Sequence, residues 1–474
     1  MANGMKLVAP AVTPPLDEGF RPAVLANHAF LEEVAASGTG VPLAIALERN
    51  DGITSVYRTQ VFGPGAGRDA ANSMYVERLV KFLLWQRGGW KITIGGNPQI
   101  AAELQTAYAP GGVKAFDANL MGVDVYEQPF TVQSADIDKM PEEAEQTMSI
   151  GGHLQGCRVG FDLGASDRKA SAVMDGEVVF SEEVEWDPKG QSDPQYHWDG
   201  VMDSIKRAAE HLPRLDGIGG SAAGIYIDNR AKVASLFRGI SKEDFNARIK
   251  DMFINIGKAL GAPLVVVNDG DVTALAGGME LEDVGILGIA MGSSEAGGYL
   301  DTSGHINGWL NELAFCPIDY NPQAAVDEWS EDYGCGAKYF SQQAVARLVG
   351  PAGIGAADGT EEGMGEPEIL KVVQELHTKG DERAVKILET IGVWLGYAIA
   401  HYADFYEIKH VLVLGRVTSG EGGPTMLREA QKVLKQDFPT LAQQISLHLP
   451  DEANRRVGQA IAAASLPELS ERTG

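Results

Sequence analysis

The pattern of apolar positions changes character near residue 158. Before it, strand-like runs ("VPLAIALERNDGITSVYRTQVF") mix with helical ones ("SMYVERLVKFLLWQRGG", "NPQIAAELQTAYAPGG"), punctuated by glycine and proline, and "WKITIGGN" reads as a strand ending in a turn. The acidic stretch "SADIDKMPEEAEQTMSIGGHLQG" reads as a linker into a new domain. Beyond Arg158, short apolar runs alternate with tight turns. "VGFDLGASDRKASAVMDGEVV" is an apolar strand, a bend of small residues after Asp162, a second strand, and a turn at Asp175-Gly176. It returns as a hairpin where a Rossmann-type fold would enter a helix. "SKEDFNARIKDMFINIGKALGAP" has the spacing of one amphipathic helix, capped by Ser241 and stopped at Gly261 and Pro263. "LVVVNDG" reads as a strand buried on both faces, ending in Asn268 and Asp269, and "DVTALAGGMELE" as the helix that follows, with Asp271 at its N-cap.

One plan recurs. "FDLGASDRKASAVMDGEV" and "IAMGSSEAGGYLDTSGHI" share an apolar strand, a small-residue bend, a short crossing, a second strand and a turn with glycine. Two such units predict a duplicated domain with a cleft between the halves. A third glycine-rich bend follows the strand in "KHVLVLGRVTSGEGGP".

Composition narrows the function. The chain has 474 residues, enough for two or three domains. A net charge of −26 opposes binding to nucleic-acid phosphates, while a local site can still take an anion. Three scattered cysteines fit a reducing compartment, and the apolar "IGVWLGYAIAHYADFY" carries His401 and Asp404 and reads as a buried helix. The expectation is a cytoplasmic protein without membrane spans.

Small residues at a strand tip let backbone N–H groups approach an anion closely. Any one such bend is an ordinary β-turn. Two facing each other would hold the phosphates of one nucleotide, with the third against its base. Asp162 then sits where it would hold Mg2+. Asp269, at the carboxyl end of a strand, lies where open α/β sheets place ligands, and phosphoryl transfer to an alcohol needs one base there. Asn268 beside it would orient a hydroxyl. Lone histidines such as His305 and His401 read as hydrogen-bonded structural residues, and Trp309 and Trp329 as core or as a stacking surface for sugar.

At these residues the sequence resembles the ROK family (repressors, open reading frames, sugar kinases) of the actin-like ATPase superfamily, over roughly residues 157 to 468. "DLGAS" is similar to the family's first phosphate loop and "MGSSEAGG" to its second. "VVNDGDVTAL" is similar to its catalytic segment, "VLVLGRVTSG" to its adenosine segment, and "RVGQAIAAASL" to its closing helix. The resemblance implies an α/β fold: an actin-like (ribonuclease H-like) duplicated two-lobe architecture with an additional N-terminal α/β domain. Residues 1–150 would be that extra domain, 151–275 the first lobe closed by helix 454–468, and 276–453 the second lobe. It implies ATP and Mg2+, with transfer of the γ-phosphoryl group to a sugar hydroxyl. Asp269 would be the base and Asp162 the metal residue. Gly164, Ser166, Lys169, Gly292, Ser293, Ser294 and Gly297 would contact phosphate, Gly415 and Gly420 adenosine, and Asn268 and Glu312 the sugar. Assembly as a homodimer is compatible with this picture.

The departures are specific. The family's sugar segment, Gly-Glu-x-Gly-His, stands here as "NELAF", keeping Glu312 and placing Phe315 at the histidine position. Its zinc segment survives as "YGCGAKYF" with Cys335 alone, too few ligands for a tetrahedral site, so no structural zinc is expected. Arg416 stands at a usual glycine position of the adenosine loop. No N-terminal helix-turn-helix pattern supports the repressor branch. A non-catalytic sugar- or nucleotide-sensing protein, and a kinase acting on a non-sugar acceptor, are the alternatives.

Overall fold

The computed structural model describes residues 4–145, 150–164, 166–361, 363–450 and 452–469. Near the N-terminus the alternating runs form β1 (Gly40–Glu48), β2 (Thr54–Phe62), β3 (Lys91–Gly95) and β4 (Thr131–Ala135). These make one sheet in the order β2-β1-β3-β4, in which only β3 and β4 are parallel. The helix Ala23–Ser37 and the long helix Asp69–Arg87 pack on it, the latter buried along most of its length.

The chain divides into two compact units, and residues 1–146 share theirs with 289–297 and 309–449. The segment expected to form a domain by itself is therefore built into a larger core. Its aromatics explain why: Phe20 packs against Tyr339, Trp394 and Tyr397, and Phe82 stacks on Phe405 with ring centroids 4.1 Å apart. The helix Glu382–Tyr402, read as buried from its apolar run, is enclosed from Thr390 onward. Among the described residues no helix is long and apolar enough to cross a membrane.

The other unit comprises 147–288, 298–308 and 450–474. Its strands are β5 (Cys157–Leu163), β6 (Asp167–Met174), β7 (Glu177–Glu185), β8 (Gly217–Ala222), the short β9 (Ile225–Ile227) and β10 (Arg230–Val233), and β11 (Leu264–Asn268). The main sheet has the order β11-β8-β5-β6-β7, with β5, β8 and β11 parallel and β6 antiparallel to both neighbours. The helix Glu452–Ala464 lies on β5, where Gly160 permits the approach: a Cβ there would stand 2.4 Å from the carbonyl oxygen of Ala460.

Three expectations need correction in this unit. β11 is an edge strand, so only Leu264 and Val266 are buried, while Val265, Val267 and Asn268 are half-buried. The helix foreseen from Ser241 to Gly261 is interrupted. Ser241 does accept from the amide of Asp244, but Lys250 then bonds back to Phe245, a π-type step that puts Ile249 into the core before the helix Met252–Leu260. Asn268, not Asp271, caps the helix Asp269–Leu281, because its Oδ1 already accepts from the amide of Gly270.

The remaining strands are β12 (Ile286–Met291), β13 (Glu295–Leu300), β14 (His410–Leu414) and β15 (Ser446–His448), in the order β13-β12-β14-β15. This order repeats that of β6-β5-β8-β11, and among the described residues the place of β7 is taken only by a single antiparallel bridge between Leu300 and Ile306. The duplicated plan legible in the two hairpins is thus present in the strand order, one strand shorter in its second copy among the described residues.

Candidate functional site

Register builds the first part of the site. Across β8, Asp162 of β5 pairs with Ser221, and the next residue, Ala222, pairs with Asn268 of β11. Because the three strands are parallel, Asp162 and Asp269 emerge at the same edge of the sheet, two strands apart, or about 10 Å between backbones. The two carboxylates feel each other. Asp269 is pushed up to about 6, first by burial and then by the negative charge of Asp162. The Gly270 amide pulls the other way, as does the start of the helix, and both are outweighed. Asp162 is also raised by burial, against the pull of Lys169 and the Ser221 hydroxyl.

Lys169 lies opposite Asp162 in the hairpin, 3.7 Å from its Oδ2 and 2.9 Å from Oδ1 of Asp167. A pocket of about 230 Å³ opens beside Asp162 and Lys169, lined also by Ser171, Glu183 and Gln459. The bend itself is closed by the Gly164 amide donating to the carbonyl of Asp167. Ser166 is exposed, and Ala165 lies outside the described residues.

Asn268 has less freedom than the sequence suggested. Its Oδ1 is taken by the Gly270 amide at 2.7 Å, and its Nδ2 donates to the carbonyl of Gly224 at 2.8 Å. Its side chain holds the strand end that carries Asp269. Asp271 is buried and accepts from the amide of Tyr299.

The other unit carries the remaining loops. Gly292 closes the β12–β13 hairpin through its amide to the carbonyl of Ser294, while both serine side chains are exposed. Gln342 and Gln343 pin this turn by donating to the carbonyls of Gly292 and Ser293. Gly297 is buried against Asn311 and Leu313, where a Cβ would meet the Asn311 carbonyl oxygen at 2.4 Å, so it serves packing. Gly415 follows β14 with φ of 104° and lies on Met291, where any side chain would strike the Met291 backbone. Gly420 borders a second pocket of about 150 Å³ with Gln374, His377 and Glu421. Arg416 is exposed and is not among that pocket's lining residues. Its carbonyl accepts from Gln374.

No protein-family model matches the sequence, and no curated protein matches it. Among solved structures, the ROK hexokinase from Thermus thermophilus is similar with a TM-score of 0.50 at 16% identity, covering 65% of this chain and 97% of that one. The fold is ROK-like. A ROK family glucokinase from Streptomyces griseus, in complex with glucose and AMPPNP, is similar at 20% identity and a TM-score of 0.49, covering 65% and 99% of the two chains. A ROK family transcriptional regulator, a homologue of the E. coli MLC protein, stands at 18% identity and a TM-score of 0.48, covering 66% and 79%.

Within the ROK-like fold the departures have physical substitutes. Phe315 stacks on Trp85 with centroids 4.1 Å apart, filling its position with an aromatic contact to the N-terminal segment. Glu312 follows the left-handed Asn311 and donates its amide to the carbonyl of Trp85. Cys335 is a buried thiol pushed up to about 12 by burial, hence protonated. Among the described residues no three His, Cys, Asp or Glu groups are arranged to hold a metal. Instead, Asp332 of the same segment is tied to Arg78 at 3.0 Å, to Lys81 at 3.6 Å and to Lys114, all buried. His401 is a neutral imidazole, held down to about 4 by burial and packed edge-on against Phe82 and Phe405.

Sequence reasoning missed Ser221, Gln342, Gln343 and the whole contribution of the helix Asp69–Arg87. Ser221 had a signal, a polar residue ending the strand "GIGGS". The others act through backbone carbonyls or across long sequence separations, and no local pattern announces them.

Proposed function

We propose that the protein transfers the γ-phosphoryl group of ATP to a sugar hydroxyl, with Asp269 as general base. The observation that carries this reading is the carboxylate pair at one sheet edge, in which Asp269 is raised to about 6 and so can hold a proton near neutral pH. As the acceptor oxygen bonds to phosphorus, its proton passes to Asp269 and ADP leaves. Lys169, the Gly164 bend, and the exposed Ser293 and Ser294 would meet phosphate, with Gly415 and Gly420 at adenosine and Glu312 on the acceptor.

The donor set fits Mg2+: Asp162 and Asp269 offer hard oxygen ligands of like charge at one sheet edge, and the ion needs only one or two carboxylates beside phosphate oxygens. Asp162, with Asp269 beside it, would hold the ion, which supplies neutralisation of phosphate charge. The test is sugar-dependent ADP release by the wild type and by Asp269→Asn across a panel of neutral and charged sugars. Loss of turnover by about 10²-fold or more in the variant is expected. A wild type that binds nucleotide and turns over nothing would instead favour a sensing protein.

A further inference from the structure

The helix Asp69–Arg87 ends directly on the segment that carries Glu312. The carbonyls of Gln86 and Trp85, in the helix's last turn, accept from the amides of Asn311 and Glu312 at 2.9 and 3.1 Å. Such terminal carbonyls have no partner inside a helix, and here they fix a loop backbone. Asn311 is locked from its other side by the Tyr406 hydroxyl at 3.0 Å.

Arg87, the final residue of this helix, is 8% exposed and, among the described residues, forms no ion pair. Its guanidinium lies 4.8 Å over the ring of Trp309 and 6.0 Å from that of Tyr57, with one long bond from Nε to Oε1 of Gln86 at 3.4 Å. Burial lowers its pKa, an unusual condition for arginine. Two carboxylates act on it from a distance, Glu143 and Glu145, but Glu145 is already engaged by Arg49, Ser55 and the Trp309 indole. A nearly buried cation with no directly paired carboxylate is costly, and one stacked on an aromatic face can offer its terminal N–H groups to a planar or tetrahedral anion.

We propose that Arg87 binds an anionic group on the acceptor, so that the substrate is a sugar bearing a carboxylate or a phosphate rather than a neutral hexose. This rests on the reading of Glu312 as an acceptor residue. In a chain of net charge −26, an anionic acceptor needs such a dedicated cation. The N-terminal segment then completes the acceptor side, through backbone contacts to residues 311–312 and through Arg87.

Calorimetry with glucuronate, glucose 6-phosphate and glucose tests this directly on wild type, Arg87→Gln and Arg87→Lys, beside ADP-release kinetics. The wild type is expected to bind one of the two anions more tightly than glucose. Arg87→Gln should weaken that binding about 10- to 100-fold, with the affinity for glucose and the KM for ATP unchanged and partial rescue in Arg87→Lys. The anion bound separates the carboxylate from the phosphate source. Failure to bind either anion, or an equal loss for anion and glucose in Arg87→Gln, overturns the inference. Anion binding that depends on Arg87 without ADP release from any acceptor would sustain it and remove the kinase reading instead.

Discussion

Glu295 stands immediately after the β12–β13 bend and offers the sharpest stability test. It is 3% exposed, its Oε1 accepts from the Tyr402 hydroxyl at 3.3 Å, and its Oε2 has no hydrogen-bond partner among the described residues. Burial, with a further push from Glu312, raises it from 4.5 to about 8. At pH 7 the folded protein therefore carries a protonated Glu295, whereas the unfolded chain carries it ionised. Because the folded value is the higher one, stability from this group is complete below pH 4.5 and declines as pH rises toward 8. The loss is about 3 kcal/mol at pH 7 and about 5 kcal/mol above pH 8, at 1.36 kcal/mol per unit of displacement. Glu295→Gln keeps the shape and cannot ionise. Guanidinium unfolding of both proteins at pH 5, 7 and 8.5, followed by tryptophan fluorescence, should show the variant gaining on the wild type by about 2–3 kcal/mol between the first two conditions. Any constant offset from the new amide cancels in that difference. A gap that does not change with pH would refute the reasoning.

Other perturbations give separate readings. Asp162→Asn removes the neighbour that helps raise Asp269, so the acid limb of the residual kcat should move below pH 6, read from a pH–rate profile. Lys81→Met leaves Asp117 and Asp332 facing each other in the interior, and a loss of about 3–5 kcal/mol is expected by thermal or chemical unfolding. Gly415→Ala forces a side chain onto the Met291 backbone at φ of 104°, which should cost at least about 1–3 kcal/mol and raise the KM for ATP while sparing the acceptor KM.

The parts of the site legible in sequence are those written in local pattern. A hairpin returning after "DLGAS", a strand ending in Asn268-Asp269, and the repeat of the first bend at "MGSSEAGG" all follow from period and turn chemistry. What the sequence hid depends on register or on distant partners. The freedom of Asn268 disappeared once Gly224 took its amide, a contact spanning 44 residues. Gly297, read as a phosphate glycine, is a packing glycine because Asn311 lies against it. Residues 1–150 carried no motif, since Trp85, Gln86 and Lys81 act through carbonyls, ring faces and buried ion pairs that any amphipathic helix can supply. Their role appeared only with the partners, at Asn311, Phe315 and Asp332.

The central claim is that the carboxylate at the end of β11 takes a proton from an acceptor hydroxyl. A coupled assay of ADP release, run with wild type and Asp269→Asn on the preferred sugar at saturating ATP, tests it most directly. The account predicts acceptor-dependent turnover that rises through pH 6 in the wild type and falls by about 10²- to 10⁴-fold in the variant, with nucleotide affinity retained. Equal turnover in the two proteins would contradict it.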